Sequence, residues 1–244
     1  MANRFKFFLS HLAISLLIAL IVIGLVFFVW YPSPLATAVG VTQVFLMMLA
    51  IDVIVGPFLG LLVYKQGKKS LKFDLSVVIG IQVAALCYGL FSIEQGRPVW
   101  IAYNVDSFEL VRKNEIINDH IDQALPPYQN VPWFKPQYVA VQFARDAKAR
   151  NDDLFTEVLG GISIAQKPER YVDFSKATTQ LKQREKSLDM LKQYNDAQQV
   201  DRIVSKYPQA TGFVPLKANA VDMTVLINKD KGEVVKIVDL RPWK

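Results

Sequence analysis

The sequence predicts a membrane protein with three N-terminal transmembrane α-helices, followed by an exported α+β domain with a C-terminal antiparallel sheet. Three apolar runs occupy most of the first 93 residues: Phe7–Trp30, Leu35–Val63 and Leu75–Ile93. Each run is long enough to cross a hydrocarbon core of about 30 Å. The remainder mixes polar and apolar residues, with turn signals between short alternating segments. We therefore divide the chain into a transmembrane region, 1–95, and a domain, 96–244.

Positive charges beside the apolar runs predict how the chain crosses the membrane. Arg4 and Lys6 precede the first run, and the loop between the second and third runs carries four lysines: Lys65, Lys68, Lys69 and Lys72. The positive-inside rule places both segments in the cytoplasm and residues 96–244 on the other side. The expected location is a bacterial inner membrane with the domain in the periplasm. The four lysines are expected to contact anionic lipid headgroups.

A cleaved signal peptide is the rival interpretation of the first run, because Ala36-Thr37-Ala38 resembles a small-residue cleavage site. The hydrophobic core of a signal peptide is about 7–15 residues long. The run Phe7–Trp30 is longer than that, so we expect it to stay as a membrane anchor.

The sequence of the first half of the exported domain predicts three strands, two helices and a loop. Strands are predicted by alternation and β-branched content, and the loop by its prolines. In order, the elements are strands Val99–Val105 and Phe108–Arg112, a short helix Asn114–Ala124, a loop Leu125–Pro136, a strand Tyr138–Ala144 and a helix Asp146–Leu159. Gly160-Gly161 follows that helix and favours its termination there.

The sequence of the second half of the exported domain predicts two helices and a β-meander. Ser175–Tyr194 is predicted as the main soluble helix, with Ser175 as its N-cap and Leu181, Leu188 and Leu191 on one face. The following elements are a helix Asp196–Tyr207 and strands Gly212–Lys217, Val221–Asn228 and Glu233–Leu240. A hairpin turn at 228–232 joins the last two strands.

The inventory of reactive residues argues against an enzyme, a metal site or a bound cofactor. The two histidines, His11 and His120, fall on opposite sides of the predicted membrane. The one cysteine, Cys87, lies in the third run, so the exported domain has no disulfide. Neither a nucleophile elbow nor a phosphate-binding glycine loop is present in the sequence. The net charge of +6 belongs mainly to the cytoplasmic segments and gives no footprint for nucleic acid.

The membrane runs instead offer surfaces for helix contact. Asp52 is the only acid inside the three runs, and a charge at that depth costs several kcal/mol unless it is paired. Its partner is either Gln82 within the chain or a cationic group on another protein. Gly56 and Gly60 form a G-x-x-x-G pair, and Gly80 and Ala84 are a second small pair with the same spacing. Such pairs let helices approach closely, either within this chain or with a partner. The candidate partner-binding residues are Asp52, Gly56, Gly60, Gly80 and Ala84.

Several segments resemble the TfpX/TfpZ family of type IV pilin accessory proteins, which are related to the fimbrial assembly protein FimB. They are Arg4–Leu12, Phe28–Leu35, Asp52–Pro57, Lys68–Leu75, Gln95–Pro98 and Asp239–Trp243. The resemblance implies an inner-membrane protein that assists pilus assembly for a pilin encoded beside it. Its implied partner is type IV pilin, a long hydrophobic helix with an exported globular head. The resemblance implies no catalytic residue.

The function expected from the sequence is that of a non-enzymatic accessory protein or chaperone that binds type IV pilin and modulates pilus assembly. Other pilus assembly proteins are further expected partners. The alternative is a periplasmic ligand sensor that signals through a partner membrane protein, because the cytoplasmic segments are too short to form an output domain.

The predicted topology can be checked with reporter fusions in whole cells. A fusion after Lys244 is expected to be active only as an exported reporter, and a fusion in the loop at Lys69 only as a cytoplasmic one. The physical reason is the lysine-rich loop, which resists translocation. Cytoplasmic activity of the fusion after Lys244 would contradict the arrangement.

Overall fold

The computed structural model describes residues 2–244 and confirms an apolar helical region followed by an α+β domain. The N-terminal helices are α1 (Ala2–Gly24), α2 (Leu35–Val39), α3 (Val41–Val63) and α4 (Leu71–Gln95). A π-helical segment, Leu25–Trp30, continues α1. Three helices are long and apolar enough to cross a membrane: Asn3–Trp30, Val41–Val63 and Leu71–Gln95.

The second apolar run is two helices instead of the single predicted helix over 35–63. Gly40 separates them with a φ of +81°, a left-handed conformation that side chains disfavour. A Cβ on Gly40 would also lie 2.9 Å from the Cβ of Ala220. The break arises because the Ala38 carbonyl accepts hydrogen bonds from the backbone amides of Ala220 (2.9 Å) and Val221 (3.1 Å). The short helix α2 therefore packs on the C-terminal domain.

Helix α3 lies between the other two membrane helices, with extensive contacts to α1 on one side and to α4 on the other. At one end, Arg4 Nε donates a hydrogen bond of 2.6 Å to the carbonyl of Leu61. The beginning of α1 therefore lies beside the end of α3, at the same end of the helical region as the lysine-rich loop.

The C-terminal domain is built on one mixed sheet of seven strands in the order β4-β3-β1-β2-β5-β6-β7. The strands are β1 (Pro98–Asn104), β2 (Ser107–Arg112), β3 (Gln137–Val141), β4 (Tyr171–Asp173), β5 (Gly212–Lys217), β6 (Met223–Asn228) and β7 (Glu233–Val238). The predicted antiparallel meander is confirmed as β5-β6-β7. It joins the N-terminal strands through parallel pairing of β2 with β5, and β1 pairs with β3 in parallel.

The sheet curls so that its two ends approach each other around a common interior. Ile101 on β1 and Ile237 on β7 belong to one buried cluster, although three strands, β2, β5 and β6, lie between β1 and β7 in the sheet. Leu35 and Ala38 of α2 complete this interior and are 3% and 0% exposed. The alternate residues of β1 face the other way, where Trp100 packs edge-on against Tyr171.

Besides the sheet, the C-terminal domain contains the helices α5 (Ala147–Gly160), α6 (Thr178–Arg184) and α7 (Ala197–Val204). The predicted helices over 146–159 and 196–207 correspond to α5 and α7. Asp146 and Asp196 cap their first turns by accepting hydrogen bonds from backbone amides. The helix predicted over Asn114–Ala124 is wrong, because that segment holds only two 3₁₀ turns, Lys113–Glu115 and Ile121–Gln123.

The prediction of one long helix over Ser175–Tyr194 is also wrong. The segment divides into a 3₁₀ turn, α6 and a second 3₁₀ segment, Leu188–Gln193. Between α6 and the second 3₁₀ segment, Lys186 is extended and exchanges two backbone hydrogen bonds of 2.9 Å with Phe213 on β5. Leu181 then packs inside the curled sheet, whereas Leu191 packs in the cluster that contains Phe213. The leucines therefore serve different cores.

Asp173, and not Ser175, caps the start of this segment. Its Oδ1 accepts a hydrogen bond of 2.9 Å from the backbone amide of Ser175. The cap therefore precedes the predicted position by two residues.

Asp153 ties α5 to the rest of the domain. Its carboxylate is buried and pairs with Lys167 Nζ at 2.7 Å and Arg170 Nε at 2.8 Å. Burial raises the pKa of Asp153, but the hydrogen bonds and charges of Arg170 and Lys167 outweigh burial and hold the pKa below its usual range.

The packing of α2 predicts that Leu35→Ala destabilises the C-terminal domain of the full-length protein. Truncating a buried leucine costs about 2–5 kcal/mol, because it loses apolar burial and leaves a cavity. We expect the domain of this variant to unfold at a lower urea concentration than that of the wild type. Unfolding is measured by tryptophan fluorescence on the full-length protein in detergent. The matched control is Leu62→Ala, since Leu62 is 60% exposed on α3. Equal midpoints for both variants would contradict the role of Leu35.

Candidate functional site

A groove runs between α1 and α4, with α3 behind it. Its volume is about 260 Å³, and residues from all three helices line it. Its walls are apolar, and four polar side chains lie among them: His11, Ser15, Asp52 and Gln82. The groove is thus a mostly apolar surface inside the membrane region with a small polar centre.

Gln82 is the polar side chain that joins the three helices. Its Nε2 donates hydrogen bonds to Ser15 Oγ at 3.1 Å and to the backbone carbonyl of Asp52 at 3.0 Å. Its Oε1 lies 3.0 Å from His11 Nε2. A backbone carbonyl can only accept, so the hydrogen-bond network assigns the amide nitrogen to that side. His11 then carries its proton on Nε2 and donates it to Oε1.

Asp52 is the middle residue of α3, and its side chain lies at this polar centre. Among residues 2–244, its Oδ2 is buried and makes no hydrogen bond. Gln82 bonds the backbone of Asp52 and not its carboxylate. The internal pairing of these side chains that the sequence suggested is therefore replaced by a side chain-to-backbone bond. The carboxylate can accept a hydrogen bond or a cation from outside the chain.

The two glycines of the G-x-x-x-G pair are buried within the helical region. A Cβ on Gly56 would overlap the side-chain amide of Gln82. A Cβ on Gly60 would lie 3.0 Å from Phe7 Cε1 and 3.2 Å from His11 Nδ1. Both glycines therefore allow α1 and α4 to approach α3 in this chain.

The second small pair lies elsewhere. Gly80 and Ala84 are exposed on α4 outside the groove, and no atom of the part of the chain that the structure describes lies within 4 Å of a Cβ placed on Gly80. The five candidate residues thus occupy three environments: Asp52 in the groove, the Gly56 and Gly60 pair inside the helix packing, and the Gly80 and Ala84 pair on a free helix face.

The lysine-rich loop is remote from the groove. Its four lysines are exposed at the end of the helical region, and Lys68 pairs with Asp74 at 2.7 Å. Their contact with lipid headgroups remains a prediction.

Sequence reasoning did not bring His11 and Ser15 into the site. They stand four residues apart on α1 and so share one face of that helix. That spacing of polar residues in an apolar run is the signal that could have placed them opposite Asp52.

The polar side chains of the groove favour a binding function for it. It offers one carboxylate, one imidazole, one hydroxyl and one amide, of which the last three bond one another. Within the part of the chain that the structure describes, no group of at least three His, Cys, Asp or Glu residues could hold a metal ion. Among residues 2–244, His11 Nδ1 and Asp52 Oδ2 are the groove atoms that are buried without a hydrogen-bond partner, and of these two groups the Asp52 carboxylate is the acid.

The contacts of Gly56 predict that Gly56→Ala disrupts the polar centre. The added methyl would displace the amide of Gln82 and break its bonds to Ser15 and Asp52, each contributing about 0.5–1.5 kcal/mol. We expect a lower thermal midpoint for the full-length protein in detergent. Gly80→Ala is the matched control and should leave the midpoint equal or higher, because alanine favours helix over glycine. Equal loss in both variants would contradict the packing role of Gly56.

Comparison with known proteins gives relatives over nearly the whole chain. The chain is 30% identical over 229 residues to the serogroup E1 fimbrial assembly protein of Dichelobacter nodosus, covering 90% of this chain and 89% of that protein. The serogroup I protein of that organism is 29% identical with the same coverage. The protein of serogroups C1 and C2 is 36% identical over 116 residues, which are 47% of this chain and 88% of that protein.

The profile of the family described as fimbrial assembly protein FimB matches residues 1–40, which hold α1, its π-helical extension and α2. No solved structure matches the chain. With 30% identity across nine-tenths of its length to the serogroup E1 protein, this chain belongs to the FimB-related family of fimbrial assembly proteins.

Proposed function

We propose that this protein is a non-enzymatic accessory protein or chaperone that binds type IV pilin in the bacterial inner membrane and modulates pilus assembly. The observation that carries the proposal is the groove between α1 and α4, whose centre holds the Asp52 carboxylate, unpaired among residues 2–244. Its relatives are named fimbrial assembly proteins, which supports a role in fimbrial biogenesis.

The groove suits a long hydrophobic helix such as that of pilin. Its wall residues Ile14, Ile79 and Val83 are 58%, 41% and 51% exposed, so they offer an apolar surface that only lipid or another helix can cover. Lipid tails are as apolar as these side chains, so burial of apolar surface alone does not select a protein partner there.

Asp52 supplies the selection that the apolar walls lack. An acid at the centre of a membrane helix costs about 2.5–3.5 kcal/mol on insertion scales. A hydrogen-bond donor or a cation on the pilin helix would offset this cost by pairing with the carboxylate of Asp52. Binding then favours a helix with such a group over a purely apolar helix.

The orientation in this proposal follows the charges. The start of α1 and the lysine-rich loop lie at the same end of the helical region, since Arg4 bonds Leu61, and this end faces the cytoplasm and its anionic lipid. The C-terminal domain then lies in the periplasm, beside the head of a membrane-held pilin. The free face of α4 with Gly80 and Ala84 is available to other pilus assembly proteins.

Crosslinking in intact cells tests the proposal. A photo-reactive amino acid at Ile79 in the groove should capture pilin, and the added change Asp52→Asn should lower that capture several-fold. Asparagine keeps the shape of the side chain and removes its charge, so the abundance of the protein should stay near normal. Capture is measured by immunoblotting for pilin and for this protein in the same sample.

The control position is Ile54, which is 61% exposed on α3 and does not line the groove. The same reactive group at Ile54 should capture little pilin. Equal capture from Ile54 and Ile79 would show that pilin does not use the groove, and absence of capture at both would contradict pilin binding. Unchanged capture of pilin by the Asp52→Asn variant would show that the charge of Asp52 is not used in binding.

A further inference from the structure

Two large aromatic side chains of the C-terminal domain, Trp133 and Phe134, lie almost fully on its surface. They are 77% and 72% exposed and are followed by Lys135. Adjacent exposed aromatic residues on a protein surface indicate an interaction site. Tryptophan is also enriched at membrane–water interfaces, where its ring is partly apolar and its N–H stays hydrated.

A buried arginine fixes these aromatic residues near the point where α4 leaves the membrane. Arg97 is 1% exposed, and its Nε donates to Glu94 Oε1 in the last turn of α4 at 3.1 Å. Its Nη1 donates to the backbone carbonyl of Phe134 at 3.4 Å. Phe134 thus lies within one arginine side chain of the end of α4.

Strand direction supports the same placement. β1 begins at Pro98, directly after α4, and β3 runs parallel to it, with Gln137 opposite Trp100. The residues before β3 therefore lie at the membrane end of the sheet.

Helix α5 lies at the other end of β3. Asp153 in α5 pairs with Arg170, the neighbour of Tyr171, which pairs with the last residue of β3, Val141. The exposed apolar side chains of α5, such as Val158, are therefore remote from the membrane.

Two lysines line a crevice beside the aromatic residues. The crevice has a volume of about 270 Å³ and lies between the connection Pro32–Leu35 and the curled sheet. Lys135 and Lys236 line it and are exposed, and neither forms an ion pair among residues 2–244. Because Pro32–Leu35 connects α1 to α2, this crevice also lies where the chain leaves the membrane.

We propose that Trp133 and Phe134 insert into the interfacial layer of the leaflet beside the C-terminal domain, and that Lys135 and Lys236 bind the phosphates of anionic phospholipid there. The aromatic rings lose contact with water, and the ammonium groups meet opposite charge. This lipid contact fixes the domain against the bilayer and goes beyond the proposed binding of pilin.

Spin labels on the full-length protein test the insertion. In a Cys87→Ala background, nitroxides are attached to Phe134→Cys and to the control Val158→Cys, which is 79% exposed. The protein is placed in nanodiscs of phosphatidylcholine and phosphatidylglycerol. The label at 134 should collide more with oxygen and several-fold less with a water-soluble nickel complex than the label at 158.

Trp133→Cys provides a second label position if Phe134→Cys folds poorly. Equal nickel accessibility at the aromatic positions and at 158 would overturn the insertion. Protection that arises only after pilin is added would also overturn it, because a protein would then cover the surface.

Native mass spectrometry tests the lysines. The double variant Lys135→Gln, Lys236→Gln should lose retained phosphatidylglycerol relative to the wild type. The control Lys148→Gln, Lys231→Gln removes the same charge from exposed positions outside the crevice and should retain it. Equal retention by both double variants would overturn the assignment of the phosphate contacts.

Discussion

The packing of α2 inside the curled sheet is the interaction on which the rest of the structure depends. Leu35 and Ala38 fill the interior between β1 and β7, and the Ala38 carbonyl accepts two backbone hydrogen bonds from the domain. On the neighbouring turn, the hydroxyl of Tyr31 donates to the carbonyl of Ile93 near the end of α4 at 2.7 Å. The short connection between α1 and α3 therefore holds these two helices, the last membrane helix α4 and the sheet together. The membrane region and the domain act as a single structural unit.

Within the membrane region, the requirement to satisfy polar groups determines the shape of the groove. In lipid, a polar group without a partner is costly, so Gln82 uses both ends of its amide across α1 and α3. Gly56 makes room for that amide by having no side chain. Within the described residues, the same arrangement engages the backbone carbonyl of Asp52 and leaves its Oδ2 without a hydrogen bond. Packing that satisfies Gln82 thus leaves the carboxylate of Asp52 without a hydrogen-bond partner among residues 2–244.

Composition and local pattern predicted the membrane helices, the meander and the end of α5 at Gly160-Gly161, because each depends on residues close in sequence. Patterns failed where distant residues decide the structure. Leu181 and Leu191 looked like one helix face, but the pairing of Lys186 with Phe213 directs them to separate cores. In the site, the cost of a buried charge singled out Asp52. The bonds that join His11 to Gln82 depend on the packing of three helices, which no local pattern contains.

The side chains that complete the interior of the sheet are synthesised before any of its strands. Leu35 and Ala38 must lie on the same side of the bilayer as the later strands, which follow them only after the two long apolar helices α3 and α4. A chain in which only one of α3 and α4 crossed the bilayer would keep them on the opposite side and leave Ile101 and Ile237 facing an unfilled cavity. Such a domain lacks part of its apolar burial and becomes a substrate for proteolysis. The connection thereby makes folding of the C-terminal domain depend on the insertion of both α3 and α4.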